Sequence, residues 1–370
     1  MIENKLTWVD SLKGIAICGV VMIHSGAGEL PNFFGAIGRN GNRGVQLFFL
    51  ISAFLTWKSL EQYFSMQSKM NGMSILRWQI KKLFKLMPLY YLAMLIYTLV
   101  TGGSEYWLGC EGSISVKNVM VHLFFLHGLF PHYANSILGV EWYLGALVIF
   151  YFLAPYMYKY INSLRKATKS FLASIAICIV IIGTGYLFMP QVEDTYIYKE
   201  YLGTISFLAQ LPVLSLGIVL YYILQEVYKG GSVYWIKNKK GVSYIIFNIA
   251  VVMIIGQVSG LYSFGRVFDN ISWSVWFSGI MISQFLWKNR MVDNRVFRCL
   301  GRYSYPIYLV HCLVIRLYDF VVRNGADTIM EWIIKYMFIL SFSFLISYIL
   351  IRWFDSPIQR KLAKIIIANK

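Results

Sequence analysis

Ten apolar runs, each close to the length needed to cross a bilayer, constrain this chain more than anything else in it. They cover residues 9–27, 44–62, 79–101, 139–158, 170–190, 203–224, 242–259, 268–287, 303–323 and 332–353. About twenty apolar residues in helical form traverse the roughly 30 Å of a hydrocarbon core. Lipid offers no partner to a backbone amide, so a run of this length takes helical form. The pattern predicts an all-α integral membrane protein, a bundle of about ten transmembrane helices in one domain covering residues 1–370. Composition agrees, with 58% hydrophobic and only 14% charged residues, far from a water-soluble balance. Of the 34 Lys and Arg, 26 fall on the side of the termini and 8 opposite, whereas Asp and Glu divide 6 to 11. The positive-inside rule then puts the N- and C-termini in the cytoplasm. The same sorting accounts for the net charge of +17 through contact with the lipid bilayer, with no nucleic acid implied.

The first run, WVDSLKGIAICGVVMIHSG, carries Asp10, Lys13 and His24. Ionisable groups inside a span are costly and mark functional positions, although Asp10 and Lys13 at its inner end also have the option of snorkelling to water. At about 100° per residue, Lys13 and His24 lie roughly 20° apart in projection and about 16 Å apart along the axis. Asp10 stands one turn below Lys13. Carboxylate, ammonium and imidazole thus share one face at different depths. The glycine-rich segment that follows, GAIGRNGNRG, lacks P-loop spacing and reads as a flexible connector. The second run offers Gln46 and Ser52, polar groups of the kind that hydrogen-bond between helices.

Arg77, Lys81 and Lys85 stand at successive i, i+4 positions, with Lys82 beside them, before Pro88. A cationic strip on one helical face suits either acidic lipid or the phosphates of a cytosolic ligand. Pro88 is expected to kink the helix above it. In the long outer loop, VKNVMVHLFFLHGLF reads as a re-entrant or interfacial helix of about fifteen residues. His122, His127 and His132 would then project about 140° apart, too divergent for a shared metal. The five cysteines, Cys18, Cys110, Cys178, Cys299 and Cys312, form no CxxC pair, so neither a disulfide framework nor a metal site is expected. Glu141, beside Trp142, falls at about the depth of His24. Arg266 and Asp269 suit an outer ion pair. Ser304 and His311, seven residues apart with Tyr308 between them, share a face. A buried histidine there either hydrogen-bonds a neighbouring helix or takes part in chemistry.

Five ordered stretches resemble the acyltransferase 3 family of integral membrane O-acyltransferases. WVDSLKGIAICGVVMIH is similar to that family's Asp-Gly-Leu-Arg-Gly-Ile-Ala segment ending in histidine. GVQLFFLISAFL resembles its Gly-Val-Asp-Leu-Phe-Phe-Leu-Ser-Gly-Phe block, and KKLFKLMPLYY its basic run before a proline. EWYLGALVIFYFLAP is similar to its Trp-Tyr-Leu segment, and SYPIYLVH to its late Ser-Tyr-x-Ile-Tyr-Leu-x-His signature. Departures are Lys13 for the family arginine, Gln46 for its aspartate, Ala53 for a glycine, and Leu147 for a glutamate that Glu141 would have to replace from another position. The charge at Lys13 is kept, and the bidentate geometry of arginine is not.

The resemblance implies a stand-alone enzyme of the bacterial cytoplasmic membrane with no tightly bound cofactor. It would move acetyl from cytosolic acetyl-CoA to a hydroxyl of a glycan acceptor such as an exopolysaccharide, capsule or O-antigen. His24 would act as base or acyl carrier, helped by Lys13, Asp10 and Glu141; Arg77, Lys81, Lys82 and Lys85 would bind the donor; Gln46, Ser52, Ser304 and His311 remain further site residues. A transporter exporting an acylated intermediate or a small anion is the competing reading, since intramembrane charges also serve transport. No inverted repeat accompanies them.

Overall fold

The computed structural model describes residues 6–66, 70–104, 112–187, 195–229, 238–322 and 328–368. Cys110 lies outside them. Among the described residues there is no strand, and helices account for nearly everything. In order these are α1 (Thr7–His24), α2 (Asn32–Arg39), α3 (Gly44–Ser65), α4 (Gly72–Phe84), α5 (Met87–Val100) and α6 (Val116–Leu123). Then come α7 (Trp142–Tyr160), α8 (Leu164–Leu187), α9 (Thr195–Glu200), α10 (Phe207–Lys229), α11 (Lys239–Val258) and α12 (Arg266–Leu286). The series closes with α13 (Arg295–Arg302), α14 (Ser304–Val322), α15 (Ile329–Leu350) and α16 (Ser356–Ala368). Over its described residues each of the ten apolar runs is mostly helical. Among the described residues six helical stretches are long and apolar enough to cross a membrane unaided, or seven if the bent pair α4 and α5 counts as one span.

The first helix is the axis of the molecule, and glycine sets how closely its neighbours approach. A Cβ on Gly301 would stand 1.7 Å from the Asp10 carbonyl oxygen, and one on Gly14 2.1 Å from that of Phe297, so α1 and α13 touch backbone to backbone. Asp293, just before α13, closes the same junction. It accepts hydrogen bonds from Ser11 Oγ at 2.8 Å, Thr7 Oγ1 at 3.1 Å and the Arg298 guanidinium at 2.6 and 2.7 Å. Burial acts to raise this carboxyl's pKa, but those bonds outweigh it and hold it below the ordinary value.

The glycine-rich segment after α1 is no flexible connector. It folds into α2 and a 3₁₀ turn, Asn40–Arg43, laid against α1. Cβ atoms on Gly38, Gly41 and Gly44 would each come within 2.4 Å of backbone oxygens of Ala27, Gly19 and Ala16. These glycines serve close approach rather than freedom.

The bend between α4 and α5 measures 43°. It falls at Lys85 and Leu86, ahead of Pro88 rather than above it. Pro88 occupies the first turn of α5, where its missing N–H removes no intrahelical bond. The fifteen-residue helix expected in the outer loop is also shorter: α6 ends at Leu123, and Phe125 adopts a positive φ of 57°. Two 3₁₀ turns follow.

Candidate functional site

Two polar centres lie along α1, one near each end. The one nearer its start, the inner centre if the termini are cytoplasmic as the sequence leads one to expect, is a cavity of about 210 Å³ whose walls include Lys13, Ser52, Ser304, Tyr143, Tyr151 and Tyr308. Lys13, Ser52 and Ser304 come from α1, α3 and α14, so the fold gathers three residues singled out in the sequence. Ser52 Oγ and the Tyr143 hydroxyl are hydrogen-bonded at 2.9 Å. The ammonium groups of Lys13, Lys82 and Lys85 all lie within Coulombic range of one another at this end. A region crowded with cations and lined by apolar side chains is suited to an anion bearing an apolar tail.

The cationic strip is arranged differently from the i, i+4 stripe expected. α4 stops at Phe84, so Lys85 lies past the helical register. Lys82 reaches inward over the rings of Trp78 at 5.0 Å and Tyr151 at 5.5 Å, and Tyr151 is a wall of the cavity. Lys81 instead lies over Tyr63 at 5.1 Å, and Arg77 is exposed. Asp10, in Coulombic range of Lys13, has the guanidinium of Arg302 at 3.9 Å.

The outer centre is a pair of histidines. His24, the last residue of α1, is exposed, and its ring centroid lies 5.2 Å from that of the fully buried His311. The Nδ1–H of His311 donates to the carbonyl of Tyr308 at 2.8 Å, with that of Ile307 at 3.3 Å. The neutral ring therefore carries its lone pair on Nε2. Cys312 Sγ is 3.4 Å from that nitrogen. Tyr308 joins the centres: it lines the inner cavity, its ring is 5.9 Å from His311, and its hydroxyl donates to the Val140 carbonyl.

Glu141 is fully buried, and its two oxygens accept from the amides of Ile137 at 2.6 Å, Val140 at 3.0 Å and Leu138 at 3.1 Å. His122 Nε2 is 3.5 Å from the same carboxylate. It thus braces the loop whose Val140 carbonyl receives Tyr308. Because α6 ends early, His122 and His127 are not splayed apart: their rings stack at 4.5 Å and 5°. His132 stands away, against Tyr198. Gln46 is also buried, hydrogen-bonded to Asn270 Oδ1 at 3.3 Å, which Arg43 reaches at 2.7 Å. Asp269 meets Arg43 at 4.0 Å, whereas the side chain of Arg266, its expected partner, lies outside the described residues.

Sequence reasoning overlooked Tyr143, Tyr151 and Cys312. An aromatic in a membrane segment has too many ordinary uses to stand out. Cys312 adjoins His311 in sequence, where helical geometry normally turns neighbours about 100° apart.

A bundle of apolar helices around ionisable side chains, with a cavity that Lys13 lines and an exposed imidazole at His24, has the make-up of a multi-pass membrane protein. The chain belongs to the acyltransferase 3 family, whose model, an acyltransferase domain, matches residues 6–352. Three Staphylococcus aureus proteins, from strains COL, MSSA476 and MRSA252, each carry the name "Putative O-acetyltransferase" and are 20% identical over 370 residues. The aligned region takes in 95% of this chain and 57% of the length of each of those relatives.

Proposed function

We propose that the protein is an O-acyltransferase that moves an acetyl group from cytosolic acetyl-CoA to a hydroxyl of a glycan acceptor at the opposite face of the bacterial cytoplasmic membrane. The observation that carries this reading is the accessible His24 against the backbone-anchored His311, at the far end of the helix that puts Lys13 in the inner cavity. The names of the staphylococcal relatives point to the same group transfer.

Lys13, Lys82 and Lys85 meet the donor's phosphates by charge-assisted contacts. The cavity is smaller than the roughly 300 Å³ and upward of a site that engulfs a whole ligand, so it takes the donor's narrow arm, which carries the thioester past Tyr308 towards His24, and leaves the nucleotide at the mouth. His24 accepts the proton of the acceptor hydroxyl as its oxygen bonds to the acyl carbon; the C–S bond then breaks, and the imidazolium gives that proton up as the departing CoA thiolate is protonated, leaving His24 neutral again. Ten spans with both termini cytoplasmic and all 370 residues in one domain complete this reading. Among the described residues no specific contact favours a transporter over it.

The deciding experiment is His24→Gln, which keeps a hydrogen-bonding side chain of similar size but no basic nitrogen. Glycan O-acetylation by membranes with equal amounts of inserted protein should fall by about 100-fold or more. Retention of more than about a tenth of turnover removes His24 from the chemistry.

A further inference from the structure

His24, His311 and Cys312 show no metal-ligand spacing in the sequence, yet the fold brings one donor atom of each within 4.8 Å of the others. The bond from His311 Nδ1–H to backbone carbonyls leaves Nε2 as the free donor. That is the anchoring by which metal-bound imidazoles are normally oriented. The thiol of Cys312 is 3.4 Å from this same nitrogen. Two imidazoles and one thiolate are a donor set for zinc-class ions, not for magnesium or calcium. His311 and Cys312 are buried while His24 is exposed, so an ion has an entry path and a fourth position open on the accessible side. Donors around tetrahedral zinc stand about 3.3–3.8 Å apart. His24, exposed at the end of its helix, is the member with freedom to close the difference by a rotamer adjustment.

We propose that His24, His311 and Cys312 form a binding site for a divalent zinc-class ion with one position open, and that the bound ion takes the lone pair of His24 and blocks acyl transfer. Cys312 gives up its thiol proton to solvent on binding. Ion binding is independent of the acyltransferase reading; only the inhibition rests on it.

The test is a titration of the full chain in detergent, freed of metal by chelator, with Co²⁺ alone. One ion per chain is expected, with a sulfur-to-cobalt charge-transfer band and the d–d bands of a four-coordinate site, all abolished by added zinc. Cys312→Ser should lose the charge-transfer band and bind zinc about tenfold or more weakly. Transfer is then compared with and without zinc within each variant. Zinc should inhibit wild type, and Cys312→Ser should need correspondingly more of it. A folded wild-type protein, judged by its melting transition, that gives no charge-transfer band overturns the site, as does a band that survives Cys312→Ser. Equal zinc inhibition of both proteins overturns the switch. A chain that binds cobalt as described but transfers no acyl group keeps the site and fails the acyltransferase reading instead.

Discussion

Three lysines within five residues divide between two surroundings, and this separates their effects. Lys82 lies between Trp78 and Tyr151 and shares the inner mouth with Lys13 and Lys85, whereas Lys81 covers the ring of Tyr63. A charge-assisted hydrogen bond to a phosphate is worth about 1.5–3 kcal/mol. Lys82→Gln with Lys85→Gln removes two such bonds and should therefore raise the KM for acetyl-CoA by about 100-fold or more, with the acceptor KM unchanged. Lys81→Gln should shift the donor KM by less than about threefold, because the half-buried Lys81 ammonium lies over the Tyr63 ring rather than over the cavity wall at Tyr151. Kinetics on membranes with equal protein would read the contrast directly. Equal effects of Lys81→Gln and Lys82→Gln would show that total charge, not this arrangement, recruits the donor.

At the scale of elements, glycine decides which helices share a backbone contact. Gly301 faces the Asp10 carbonyl at a distance no side chain tolerates, and neither partner is a flexible side chain that moves aside. Gly301→Ala should destabilise the protein by about 1–3 kcal/mol, the usual cost of overpacking, read as a lower melting temperature in detergent. Gly183 in α8, with nothing within 4 Å of its would-be Cβ, is the matched control and should be neutral or slightly stabilised as alanine. A Gly301→Ala protein as neutral or stabilised as Gly183→Ala would mean that helix propensity, not the α1–α13 contact, governs the response. These contacts were not legible in the sequence, and the reason is physical. A glycine written in a chain signals the absence of a side chain, which serves mobility and close approach alike. The partners of Gly38, Gly41 and Gly44 become apparent only once the turn has folded back on α1. Lys13, Ser52 and Ser304 were legible because polar groups in apolar runs stand out against their neighbours. The stacking of His122 on His127 was not, since it depends on a helix ending at Leu123, a boundary that the apolar sequence LFFLHGLF does not announce.

For the whole molecule, the number of crossings is the property that periodicity alone leaves open. The positions of all ten apolar runs could be read, because length and hydropathy are local. Yet α3, α7 and α12 do not reach the apolarity of an independent span. Their sequences show why: α3 carries Gln46, Ser52 and Thr56, and α12 carries Asp269, Asn270, Ser274 and Gln284, residues that largely face protein rather than lipid. A helix enclosed by others answers to its protein neighbours, and hydropathy scales that assume lipid contact understate it. If α12 crosses, the loop before it and the loop after it must open on opposite faces. Ser263 precedes α12 in an exposed loop, and Asn294 follows it, capping α13 through a bond from the Phe297 amide at 3.0 Å. On the proposed topology, the excess of Lys and Arg from Lys288 to Arg302 predicts a cytoplasmic Asn294. Single cysteines at the two positions, introduced into a chain whose native cysteines are replaced by serine, should therefore differ in reaction with a membrane-impermeant maleimide added to intact cells. The residue at 263 should label, and the residue at 294 should label only after permeabilisation. Labelling of both from outside, or of neither, would make α12 an interior helix that does not cross. The count would fall below ten, and the side assigned to the lysine mouth would need to be established afresh.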